Sequence, residues 1–387
     1  MNTKKVRSSN IELLRIIAML MIISYHIVNH CVTDQLQEVD SIERMANGFF
    51  GEPTYNPQLL LLDAIMPFGA AGNAIFILIS GFFMSSKGKN INLAKTSGKL
   101  LQQLGFSAVT LVAASTVICI LTRQLKGVFL EWQTINIFND MSWFIGYYFI
   151  IIVIAALFLN DFLSKLSEKH YIAFLATTFA LTQLGWSGKL IESFADGLRT
   201  LCIGIFLYAL GGFIKQYNPF GRVRTFIFPL IIIAVYVLVL ASGYNDAKLS
   251  ISEYLRNKPE DYVLPNIPWY DNHSIVSVIM GVSLFELARR IHTPNSRIIN
   301  FLGKATFMVY LIHDNTFFYS IWGLHDWVRV LYYNPKRFVG ELLLYTLATF
   351  FIGVLLYAIY LLVVKIVRSL SIVALKPKPN CENNIIG

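Results

Sequence analysis

The residues with the clearest chemical potential sit inside apolar stretches. The segment IELLRIIAMLMIISYHIVNH carries Glu12, Arg15, His26 and His30. An ionisable group within a lipid-spanning segment is expensive and is a functional candidate by default. Arg15 and His26 are eleven residues apart, which on a helix is three turns plus about 20°, so they share a face. They lie roughly 16 Å apart along the axis. His26 suits proton transfer near neutral pH, as a general base or as a covalent carrier of an acyl group, and the sequence leaves both open. Arg15 suits an anion such as a phosphate, although an arginine near a span end also snorkels to lipid headgroups. Glu12, three residues before Arg15, can pair with it. A second set appears in GKATFMVYLIHDN, where Tyr310 and His313 share a face and Asp314 adjoins them. These are read as supporting residues that orient His26 or the acceptor across a helix interface. The remaining histidines, His30 included, fall at span ends or in loops and are read as interfacial.

These side chains need a scaffold, and composition identifies its solvent. The chain has 387 residues, of which 55% are hydrophobic and 14% charged, and its mean hydropathy is +0.57. Apolar runs long enough to cross a hydrocarbon core of roughly 30 Å recur from end to end. Helices are required, because backbone polar groups in lipid must be satisfied within the segment. The expected fold is an all-α polytopic integral membrane bundle of about ten transmembrane helices. The spans run near 11–29, 59–84, 99–121, 141–159, 170–186, 198–214, 225–242, 273–288, 299–322 and 338–367. Residues 1–375 form one membrane domain and residues 376–387 a short polar tail. No repeat or appended soluble domain is visible.

Lys and Arg concentrate in the loops on the side that holds the N-terminus, for example Lys4, Lys5 and Arg7, then Lys87 and Lys89, then Arg289 and Arg290. By the positive-inside rule both termini are cytoplasmic. The long loops 31–58 and 243–272 then face outward. The net charge of +9 is explained by these orientation signals, and no basic–aromatic pattern calls for nucleic acid. Cys31, Cys119, Cys202 and Cys381 lack metal-ligand spacing, so no metal is expected. Lys87 and Lys89 follow the pair Ser80–Gly81, which permits close helix approach, and would be first to meet a phosphate-bearing cofactor from the cytoplasm. The alternative function is a transporter or channel with a His/Arg-lined path. The absence of internal repeats and of matched broken helices argues against it.

Several blocks together resemble one family. They are the Arg-x10-His start, ILISGFFMSSK, SWFIGYYFIIIVIAALFLNDFL, FLYALGGFIKQYNP and SLFELARRIHTPNSRIINFLGKATFMVYLIHDN. They resemble, in order, the bacterial membrane-bound acyltransferase family 3, which includes glycan O-acetyltransferases. The resemblance implies a ten-helix domain in the bacterial plasma membrane and acetyl-CoA supplied from the cytoplasm as acyl donor. It also implies a cell-surface or lipid-linked polysaccharide hydroxyl as acceptor. His26 aligns with the family's first-helix histidine and Arg15 with its companion arginine, so these two are the expected catalytic residues. Arg15, Lys87 and Lys89 are the expected cofactor ligands. Where many members carry arginines after the Ser-Gly pair, this chain has Lys87 and Lys89, which lack the bidentate fork of arginine. Membrane lipid is a further partner, and a homo-oligomer is compatible with the sequence.

Overall fold

A computed structural model describes residues 8–37, 55–122, 143–183, 189–257 and 274–374. The described residues are helical with no strand among them. The first helix, α1 (Ser9–Ile27), passes through a π-helical turn (Val28–Val32) into α2 (Thr33–Gln37). Then come α3 (Tyr55–Ile65) and α4 (Pro67–Met84), with Pro67 opening α4 where a missing N–H does no harm. A 3-10 segment (Ser85–Asn90) leads to α5 (Leu93–Thr122). Next, α6 (Trp143–Ile154) continues through a second π-helical turn (Ala155–Leu159) into α7 (Asn160–Lys165). Helices α8 (Glu168–Gln183), α9 (Lys189–Tyr217), α10 (Ile227–Asn257) and α11 (Ile275–Arg290) follow. The chain ends in α12 (Arg297–His313), α13 (Thr316–Gly323), α14 (Trp327–Tyr333) and α15 (Pro335–Ala374).

Seven helical stretches among the described residues are long and apolar enough to cross a membrane. The other three expected spans are also helical. They are α8 and α11, at 16 residues each, and α12, at 17, and each rises about 24–26 Å. The chain is a multi-pass membrane protein.

The helices sort into inner and outer positions. The spans built on α1 and α4 are 67% and 72% buried, against 22% for those of α5, α10 and α15. The outer helices expose aliphatic side chains such as Val109, Ile120, Leu238 and Leu355, as lipid requires. Helix α4 packs on α1, α9 and α11, while α1 also touches α12 and α15. Small residues allow this crowding. A Cβ on Gly81 would collide with the backbone carbonyl of Tyr208, so α4 and α9 cross at backbone distance.

Three sequence expectations need correction. The span expected at 299–322 is two helices, α12 and α13, broken at Asp314–Asn315. The expected loop 31–58 begins as helix to Gln37, because Gln35 is anchored: its side chain donates to the carbonyls of Gly323 and His325 at 3.2 and 2.7 Å and accepts from Trp327 N at 2.9 Å. The expected loop 243–272 begins as the last turns of α10, which run to Asn257, since no proline intervenes before Pro259. The expected loop 31–58 also ends as helix, with α3 starting at Tyr55, and residues 38–54, 258–272 and the tail 376–387 lie outside the described residues.

Candidate active site

Two interruptions of regular helix build the site. The π-helical turn that follows Ile27 starts two residues beyond His26, with Thr33 N bonding back to Val28 O. Such turns concentrate at functional positions. This one carries His30 onto Tyr319, ring centroids 4.3 Å apart and nearly parallel. The other interruption is the break at Asp314–Asn315. Asn315 caps α13 by accepting from Phe318 N at 3.2 Å, and its amide donates back to Ile312 O. Irregular backbone at membrane depth survives where protein buries and satisfies it, and Asp314 and Asn315 are 5% and 3% exposed.

The two interruptions bring together His26, His313, Asp314, Tyr310 and Tyr319. Nδ1 of His26 is 3.1 Å from Nε2 of His313 and 3.6 Å from Oδ1 of Asp314. The phenol of Tyr310 donates to Asp314 Oδ2 at 2.5 Å, and that of Tyr319 donates to Oδ1 at 2.6 Å. Geometry fixes the tautomers. Nδ1 of His313 is 2.9 Å from the carbonyl of Val309, which can only accept, so this nitrogen carries the proton. In neutral His313, Nε2 is then an acceptor, and His26 Nδ1 must donate to it. The remaining nitrogen of His26, Nε2, keeps its lone pair and has no hydrogen bond among the described residues. This is the arrangement of a histidine base held by its far nitrogen.

Towards the start of α1 lies a cavity of about 680 Å³ lined by Arg15, Lys87, Lys95, Lys99 and Lys304, with no acidic side chain among the described lining residues. Five cations around one space attract a polyanion. Arg15 donates to Glu12 at 2.9 Å, and Glu12 is itself buried under Gly303, where any Cβ would strike its carboxylate. The inner wall is apolar and aromatic, with Met19, Phe76 and Phe144, and it includes Tyr310. Tyr310 packs on Phe144 at 5.3 Å between centroids. It therefore belongs both to the cavity wall and, through Asp314, to the histidine cluster. His26 does not line the cavity.

The structure thus gathers His26, His313 and Tyr310 in one cluster and puts Arg15 and Lys87 in the cavity with Glu12 behind Arg15. The side chain of Lys89 lies outside the described residues. Sequence reasoning missed Tyr319, which joins the cluster only through the helix break, and read His30 as interfacial, whereas it stacks against that cluster. It named Asp314 only as a neighbour. Lys95 and Lys99 were legible only as orientation signals.

The family model for the acyltransferase domain matches residues 8–361. No curated protein and no solved structure matches the chain. A match over nearly the whole membrane domain, on a chain whose first helix and broken α12–α13 pair build a histidine cluster beside a cationic cavity, decides the family. The chain belongs to acyltransferase family 3 and is a membrane acyltransferase.

Proposed function

We propose that this chain transfers an acetyl group from acetyl-CoA to a hydroxyl of a cell-surface or lipid-linked polysaccharide in the bacterial plasma membrane. The observation that carries the reading is the cationic cavity ending on Tyr310, whose phenol is bonded to the same carboxylate that neighbours His26. A coenzyme A thioester has phosphates at one end and a neutral reactive end, which matches a cationic mouth and an apolar inner wall.

The reaction needs a base, because a sugar hydroxyl is too weakly acidic to attack a thioester unaided. In this reading Nε2 of His26 takes the hydroxyl proton as the oxygen bonds to the thioester carbonyl carbon. The C–S bond then breaks, and the imidazolium returns the proton to the departing thiolate. His313 holds the ring by Nδ1 and Asp314 offsets the positive charge formed on it. The thioester meets Tyr310 first, since that phenol bounds the cavity.

Membrane placement follows the same reading. Ten spans with both termini in the cytoplasm put the starts of α1, α5 and α12 on the cytoplasmic side, so Arg15, Lys95, Lys99 and Lys304 open towards the acyl donor. The test is acetyl transfer from radiolabelled acetyl-CoA to membrane glycan, wild type against His26→Ala. Label in glycan that depends on His26 supports the reading. Tight acetyl-CoA binding with no acceptor labelled in any glycan fraction would overturn the acceptor class, and equal labelling by both proteins would overturn the chemistry.

A further inference from the structure

We propose that Gln103 reads the amide-bearing arm of the acyl donor, and so distinguishes a coenzyme A thioester from other phosphorylated molecules that the cationic mouth attracts. The inference deepens the acetyl-CoA reading and rests on it. Gln103 lines the cavity, and its carbonyl oxygen Oε1 is buried with no hydrogen-bond partner. The neighbouring neutral groups are engaged. Asn92 caps α5 by accepting from Lys95 N at 2.8 Å, Thr96 donates to Asn92 O at 2.9 Å, and Ser80 pairs with Tyr148 at 3.1 Å. Buried acceptors in native proteins are nearly always satisfied, and an exception at a cavity wall calls for a donor from the ligand.

The order of groups along α5 supplies the second argument. Lys95, Lys99 and Gln103 are spaced by four and share one face. Gln103 therefore lies about 12 Å beyond Lys95 along the axis of α5, and Tyr310 about 9 Å beyond Lys304 along α12; in the ten-span reading both helices start on the cytoplasmic side and run the same way. A ligand entering this cavity meets cations first, then an amide acceptor, then a phenol. A coenzyme A thioester presents phosphates, then two amide N–H groups, then the thioester, in that order. A simple nucleotide or a phosphorylated sugar lacks the middle element.

The experiment uses purified full-length protein in lipid nanodiscs, with coenzyme A and adenosine 3′,5′-bisphosphate as two probes. The bisphosphate carries phosphates without the amide arm. Gln103→Leu should weaken coenzyme A binding about tenfold, the loss of one buried hydrogen bond, and leave the bisphosphate within about twofold. The same variant without ligand should melt no lower than wild type, because it removes an acceptor that is unmatched until ligand binds. Unchanged coenzyme A affinity overturns the inference. So does equal weakening of both probes with a lowered melting temperature, which marks Gln103 as a packing residue, and Gln103→Met checks that result with an unbranched chain. If wild type binds neither probe, the donor reading itself fails and this inference falls with it. If wild type binds coenzyme A and Gln103→Leu binds it equally well, the inference fails alone.

Discussion

Nδ1 of His26 and Nε2 of His313 stand 3.1 Å apart across the interface of α1 and α12, and the carbonyl of Val309 behind His313 decides which of the two nitrogens carries the shared proton. The bond fixes both the tautomer and the plane of the His26 ring. His313→Ala should therefore lower kcat by roughly 10- to 100-fold, less than loss of the base itself, which general acid–base catalysis puts at about 10²–10⁴-fold. The apparent KM for acetyl-CoA should stay near wild type. Steady-state kinetics on purified protein would separate the two constants, and a pure KM effect would contradict an orienting role.

Asp314 receives two phenols, and each removal exposes a buried carboxylate to an unmet need. Tyr310→Phe and Tyr319→Phe should each destabilise the protein by about 1–3 kcal/mol, read as a lower melting temperature in detergent. Tyr310→Phe should reduce turnover more than Tyr319→Phe, because only Tyr310 also lines the cavity. Equal turnover in both variants would separate Tyr310 from the donor.

Arg15 is 25% exposed and tied to a nearly buried Glu12, an arrangement that fixes a guanidinium at the cavity wall. Arg15→Ala should raise the KM for acetyl-CoA about tenfold, consistent with one charge-assisted hydrogen bond of about 1.5 kcal/mol, and Arg15→Lys should recover little of it. Glu12→Gln should give a smaller rise in the same direction. Unchanged acetyl-CoA affinity in all three would return Arg15 to a headgroup anchor.

Packing makes a prediction independent of chemistry. Gly81 has no room for a Cβ beside the Tyr208 carbonyl, so Gly81→Leu should separate α4 from α9 and lower the yield of folded protein sharply. Size-exclusion profiles after solubilisation would show it. A monodisperse, thermally stable Gly81→Leu protein would contradict this helix crossing.

Much of this was legible because membrane physics leaves few choices. A chain so apolar must be helical, and helical spacing alone put Arg15 and His26 on one stripe and Tyr310 beside His313. What pattern could not show was where helices break. The stretch Ile299–Trp322 reads as one span because the apolar residues on both sides outweigh the polar triplet His313–Asp314–Asn315 when hydropathy is averaged over a span. The break depends on tertiary partners, two phenols and Asn315's own capping bonds, and only the break brings Tyr319 to Asp314. The cavity was hidden for the same reason: Lys95, Lys99 and Lys304 are unremarkable as loop-proximal cations until α1, α5 and α12 are brought side by side.

The central claim is that His26 performs chemistry and does not merely pack. Its most direct test is single-turnover acetyl transfer by purified His26→Ala and His26→Gln, with thermal stability and coenzyme A binding measured on the same samples. Both variants should melt near wild type, bind coenzyme A normally and transfer no detectable acetyl group. A stable His26→Ala protein that acetylates membrane glycan at near wild-type rate would contradict the account.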